Sequence, residues 1–308
     1  MLKKIFIILI MIVPFISFLT LLSPNKTKEI PVNIAPPKSL VTTLIATGDV
    51  MLGRKVNEVT LAKNDFTWAF DNTAPLLASA DITLINFEGT LITNCPVTQT
   101  GFYFCGDRRH VAGLKHAGID IANLANNHAF NFGSRGLNET ADTLHQSGIE
   151  TIGLGKTVYK NINGTVFAFL GFSDIYSNEP LISAANNTRV VAEIDYARDN
   201  SDVLVVSFHW GSEYTGVSST RQIELAHLAI DSGADLIIGH HPHWTQNTEV
   251  YKDKLIVYSL GNFIFDQMWS TKTRQGHIGK FTFKANKLIN YELLPIFIED
   301  YGQPRLVN

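Results

Sequence analysis

The chain has 308 residues, of which 45% are hydrophobic and 17% charged, and its formal net charge is -3. That length suits one large α/β domain or two smaller ones. An acidic balance with no basic run argues against a nucleic-acid partner, because phosphate binding needs a positive surface.

The chain opens with Lys3 and Lys4, followed over 5–22 by an apolar run broken only by Pro14, Ser17 and Thr20. A basic start before such a run predicts an uncleaved signal anchor over 1–22, with a cleaved signal peptide as the alternative and a buried helix as the third reading. The positive end stays inside, which places the folded part outside the membrane, single-pass, or secreted if the signal is cleaved. Residues 23–39 carry four prolines and read as a linker. Residues 40–308 read as one domain.

The first predicted strand, over 40–47, runs into Gly48-Asp49. A helix is expected over 68–79. A second strand over 82–85 ends at Asn86-Phe87-Glu88. Two cysteines follow, Cys95 and Cys105. Outside the cytoplasm a local disulfide between them is expected, with two free thiols as the alternative. Phe102, Tyr103 and Phe104 are expected to fill the core of that loop. Arg108, Arg109 and His110 read either as a substrate-facing loop or as a solvated turn.

A third strand over 119–125 leads to Asn126-Asn127-His128, and a helix over 134–146 is closed by Gly148. A strand over 166–172 follows the Asn163-Gly164 turn. The fourth apolar strand end, over 203–208, leads to His209-Trp210-Gly211. A helix over 220–232 precedes a fifth strand over 234–238, which ends in Gly239-His240-His241-Pro242-His243. The sixth strand, over 255–258, leads to Ser259-Leu260-Gly261-Asn262. Residues 278–297 read as two strands joined near Asn286-Lys287. Alternating strands and helices predict a layered α/β fold.

Six strand ends thus deliver polar groups to one edge, where open α/β sheets bind ligands. Neutral imidazoles, carboxylates and an amide carbonyl together suit a pair of divalent metals such as manganese, iron or zinc. The groups gathered there are Asp49, Asn86, Glu88, Asn127, His128, His209, His241 and His243. Asn86, Glu213, His240 and Asn262 read as ligands or as groups that orient ligands; Glu213 reads either as orienting His209 or as a local cap. Arg54 reads as a contact for an anionic substrate or as one half of a salt bridge.

The order Gly48-Asp49, Asn127-His128, His209 and His241-x-His243 resembles the calcineurin-like metallophosphatase superfamily. More closely, the chain resembles the CapA family of bacterial capsule and poly-γ-glutamate synthesis proteins. That resemblance rests on residues 48–54, Asn86-Phe87-Glu88, Asn126-Asn127-His128 with Gly133-x-x-Gly136-Leu137, His209-Trp210-Gly211-x-Glu213-Tyr214, residues 239–243 and residues 258–267. It implies a metallophosphatase-like β-sandwich flanked by helices. It also implies that Asp49 is the first metal ligand, that Glu88 stands where the bridging carboxylate lies, that Asn127, His209, His241 and His243 are the remaining metal ligands, and that His128 approaches the substrate as the catalytic group. The superfamily has Asp-x-His at the first strand, where this chain has Met51, and Gly-Asp where this chain has Asn86-x-Glu88. The implied function is metal-dependent hydrolysis in synthesis, export or release of the polymer, with poly-γ-glutamate and membrane-bound synthase or export subunits as partners. The alternative is a non-catalytic, membrane-anchored protein that binds the anionic polymer during export.

Overall fold

The computed structural model describes residues 41–175 and 180–307. The expected anchor over 1–22 and the linker over 23–39 lie outside the described residues. Among the described residues no helix is long and apolar enough to cross a membrane.

Two sheets carry the fold. The larger has the strand order Gln303–Leu306, Lys287–Glu299, Gln275–Lys284, Val41–Val50, Ile82–Phe87, Ile121–Asn123, Glu150–Ile152, and Asn262–Ile264 also pairs with Val41–Val50. The second has the order Thr248–Tyr251, Lys254–Val257, Leu236–His240, Val203–His209, Thr165–Ser173, Val158–Ile162. Parallel strands lie at the heart of both.

Successive side chains of a strand point to opposite faces, and that period sorts the core. Leu44, Ala46, Val203, Val205, Leu236 and Ile238 pack between the sheets with Phe167, Phe281 and Phe283. Their neighbours Ile45, Leu204, Val206 and Ile237 point outward, under the helices. Both faces of the parallel strands are therefore covered, which is why these strands read as continuous apolar runs. Burying one such side chain contributes about 1.5–3 kcal/mol. Helices Arg54–Lys63, Ala74–Leu77, Val111–His116 and Gly133–Gln146 contribute to the cluster outside the first sheet, and Asn187–Arg198 and Thr220–Asp231 to the cluster outside the second. The result is the helix-flanked sandwich expected from sequence.

Three expectations need correction. The helix over 68–79 is a 3-10 turn at Trp68–Phe70 and a short helix at Ala74–Leu77. Pro75 sits in the first turn of the latter, where its missing N–H costs nothing, and it cannot continue a helix from Phe70. The third strand is only Ile121–Asn123, because the Asn123 side-chain oxygen takes the Ala125 N–H and turns the chain. The aromatic run in the cysteine loop divides: Phe104 is buried, but Phe102 and Tyr103 are 76% and 69% exposed. Cys95 and Cys105 form the expected disulfide.

Two glycines set how close the strand ends come. A Cβ on Gly48 would lie 2.1 Å from the Gly261 carbonyl oxygen, and one on Gly239 would lie 2.0 Å from that of Tyr258. Both glycines immediately precede polar site residues, so backbone contact there holds the strand ends together.

Candidate metal centre

The parallel strands of both sheets end on the same side, and their last residues meet. Asp49 is fully buried at the end of Val41–Val50. One of its oxygens accepts from Asn86 Nδ2 at 2.9 Å. The other lies 3.0 Å from His243 Nδ1 and accepts from the His241 backbone N–H at 3.3 Å. His240 Nδ1 is 3.4 Å from Asp49. The histidine pair that follows leaves the strand on a strained path, with φ of 96° at His241 and 57° at His243. Non-glycine residues adopt such angles rarely, and they cluster at functional sites. The turn brings both rings back towards Asp49.

Glu88 lies just past the second strand. It is fully buried, and neither carboxylate oxygen has a hydrogen-bond partner. Its Oε1 sits 3.7 Å from His128 Nε2 and 3.8 Å from His243 Nε2. Burial pushes its carboxyl up to about 8. Burial also opposes charge on His243, but Glu88 and Asp49 outweigh it and raise that imidazole to about 9. Asp49 is held well below the ordinary carboxylate range: burial acts against it, and His240 and His243 overcome that.

His209 joins from the second sheet. Its Nε2 lies 2.8 Å from Asn127 Oδ1, and its Nδ1 is 3.3 Å from Asn86 Nδ2. Burial and then the neighbouring His241 drive it well below the usual histidine range. Burial likewise holds His241 at about 3 and His128 at about 4. Those rings are neutral, with lone pairs available to a cation. His241 Nδ1 is buried without a hydrogen-bond partner.

Potential donor atoms converge twice. One atom each of Asp49, Glu88 and His243 lies within 4.8 Å of the others, and so does one each of Glu213, His241 and His243. His243 is common to both groups. Glu213 therefore stands beside His241 and His243, not in the role of orienting His209. Unpartnered carboxylate oxygens beside neutral imidazoles are a poor apolar core and a good donor set for a divalent cation.

The remaining predicted residues surround this set. Asn86 holds Asp49 with its amide N–H, and its oxygen accepts from Asn123 Nδ2 at 3.2 Å. Asn262 Oδ1 lies 2.9 Å from His243 Nδ1. Arg54 is committed to Asp266 and donates to the Gly101 carbonyl oxygen at 3.0 Å. His110 is buried against Asn57 Oδ1, and Arg109 pairs with Asp107, so that segment is structural.

Sequence reasoning missed Asn131 and Phe104. His128 Nδ1 lies 2.9 Å from Asn131 Oδ1, which also accepts the Phe104 N–H. Phe104 stacks on His128 at 3.9 Å, and the Arg54 guanidinium covers the Phe104 ring at 4.6 Å. No spacing signal marks these residues. Phe104 enters from the disulfide loop, and Asn131 from the segment just after His128.

The fold is that of a metallophosphatase-like α/β protein. One solved relative in fold is a phosphatase from Mycoplasma pneumoniae, with a TM-score of 0.57 over 84% of this chain and 95% of that one, at 16% identity. Residues 43–267 match the family described as bacterial capsule synthesis protein PGA_cap, and the chain belongs to that family. It is 32% identical over 287 residues to the capsule biosynthesis protein CapA of Bacillus anthracis, covering 86% of this chain and 69% of that one. It is 33% identical over 270 residues to the PGA biosynthesis protein CapA of Bacillus subtilis, covering 82% and 70%.

Proposed function

We propose that the chain is a two-metal hydrolase acting on a phosphoester or amide bond in poly-γ-glutamate or capsule polymer synthesis, export or release. It works at the outer face of the cell membrane, held there by residues 1–22. The polymer assignment rests on the two Bacillus relatives, whose names carry capsule and PGA biosynthesis. The single observation that carries the chemistry is Glu88, a wholly buried carboxylate with both oxygens unpartnered. Such a carboxyl stays protonated in the metal-free protein, and ionising it there needs a cation beside it.

Asp49, Glu88 and His243 would hold one ion, and His241 and Glu213 would provide donors towards a second. His209 and Asn127 complete the set. Two divalent ions held there supply Lewis-acid activation of water and of the bond to be cut. Manganese, iron and zinc all suit the donors.

His128 does the proton work. Asn131 Oδ1 already accepts the Phe104 N–H, so it acts as an acceptor and fixes a proton on His128 Nδ1. Nε2 then carries the lone pair. Because burial keeps the ring neutral, Nε2 takes up a proton before it can return one to a leaving group. Phe104, stacked on the ring, prevents it from turning away.

The test is turnover by the purified protein, loaded with Mn²⁺ or Zn²⁺, on poly-γ-glutamate and on a bis-aryl phosphodiester. Wild type should cut at least one of them, and His243→Ala and His128→Ala should lose about 100-fold or more. Saturable polymer binding with no turnover above those variants replaces the hydrolase with the export-binding reading.

A further inference from the structure

A cleft of about 370 Å³ opens beside the metal centre, between the disulfide loop and the segment that follows Asn262. Gln99, Thr100 and Phe102 line one side, and Tyr214, Gln267 and Trp269 the other. That volume lies in the range of sites for small ligands, roughly 300–1,000 Å³. The lining has two features that oppose an anionic ligand. Its only charged members are Arg54 and Asp266, and they pair with each other. Glu213, exposed next to Tyr214, adds negative charge. The polymer's carboxylates would meet no unmatched cation here.

The cleft offers flat apolar surface instead. Trp269 is 62% exposed and Phe102 76% exposed, one on each side. Large aromatics left in water beside a cleft mark a binding surface. Trp269 is held in place: the Tyr214 ring meets it edge-on at 4.9 Å. Tyr214 has a φ of 59°, its N–H donates to the Pro242 carbonyl oxygen at 2.8 Å, and its hydroxyl accepts from Gln267 Nε2 at 3.2 Å. Gln267 Oε1 in turn accepts from Asn262 Nδ2 at 3.1 Å, and Asn262 Oδ1 sits 2.9 Å from His243 Nδ1. A bonded chain thus runs from the exposed indole to the metal centre. The aromatic face is fixed at a set place relative to it.

We propose that this cleft is a sugar subsite, which takes a neutral pyranose ring of a glycan against Trp269 and presents the linkage attached to it to the metal centre. A pyranose has a C–H face for the indole and equatorial hydroxyls for the rim, here Thr100 and Gln99. The inference deepens the hydrolase reading and rests on it for the linkage. The binding step itself is separable from it.

The experiment titrates full-length, Mn²⁺-loaded protein in detergent with the β-1,4 trimer of N-acetylglucosamine, cellotriose and maltotriose, with a γ-glutamyl trimer as the charged control. Tryptophan fluorescence and calorimetry read the binding. At least one sugar trimer should saturate, with a Kd that is unchanged between ~50 and ~500 mM NaCl, because no charge pairing is involved. Trp269→Ala should weaken it about 10-fold or more at unchanged melting temperature and metal content, and Trp269→Phe should restore most of it. The proposal is overturned if none of the three sugars saturates. It is also overturned if Trp269-dependent, salt-sensitive binding occurs only with the γ-glutamyl trimer, or if Trp269 serves only binding to phosphatidylcholine vesicles. Failure of the hydrolase reading is scored separately, by turnover, and leaves these titrations interpretable.

Discussion

The two ends of the parallel strands carry acids used in opposite ways. At their starting ends, Asp81, Asp120, Asp202 and Asp235 repeat one clasp. Each side chain accepts a backbone N–H of the adjacent strand at 2.8 Å, from Thr43, Thr83, Val166 and Leu204 respectively. Each of the same aspartates donates its own N–H to the carbonyl oxygen of that residue. One oxygen of each acid is thereby satisfied by backbone, and neighbouring strands are tied together where they start. At the finishing ends, Asp49 faces imidazoles, and neither Glu88 oxygen has a hydrogen-bond partner. The acids clasped to neighbouring strands build the fold, and those gathered among imidazoles build the site.

That contrast is broken or sharpened by substitutions at either end. The largest effect should be on metal affinity. His243→Ala should weaken Mn²⁺ or Zn²⁺ binding by about 100-fold or more in calorimetric titration, whereas Asp235→Ala should leave it within about twofold. The same titrations should show proton release. In the metal-free protein Glu88, raised to about 8, and His243, raised to about 9, both hold protons near neutrality. Ligation needs the ionised carboxylate and the neutral imidazole, so affinity should climb as pH rises and level off above about 9. Affinity that is flat across that window would contradict the assignment of Glu88 and His243.

Stability should respond in the reverse pattern. Asp235 also pairs with Arg198 and Lys254, so Asp235→Ala should cost about 2–3 kcal/mol in denaturant unfolding. Glu88→Gln, with chelator present, should instead stabilise by about 1–2 kcal/mol, since it removes an unpartnered buried carboxyl. The smallest effect belongs to Asp202→Ala, about 1 kcal/mol, because that clasp is exposed to water. Equal losses from Asp202→Ala and Glu88→Gln would erase the distinction between the two ends.

The sequence makes the finishing ends visible and hides the starting ends. Asp49, Glu88, His209, His241 and His243 each follow an apolar run, and the register brings them together as that position predicts. The clasp aspartates precede apolar runs, but nothing local says that a neighbouring strand's N–H will meet each one. Helix Arg54–Lys63 is missed for a related reason. Its buried face contains Asn57 and Thr60 beside Val56, so no apolar stripe reveals it. Glu213 lies far from His243 along the chain, and only the strained turn through Tyr214 brings it near. Phe102 reads as a core residue from sequence, and no sequence signal singles out Trp269. Their exposure is a property of two loops meeting.

The central claim is that the buried acids at the finishing ends hold metal. Elemental analysis of full-length protein purified without chelator tests it most directly, with Glu88→Gln and His243→Ala prepared in parallel. The account predicts close to two equivalents of divalent metal per wild-type chain, and a loss of about one or more in each variant. Metal-free wild type whose melting temperature is indifferent to added Mn²⁺ and Zn²⁺, or variants that keep the full complement, would contradict it.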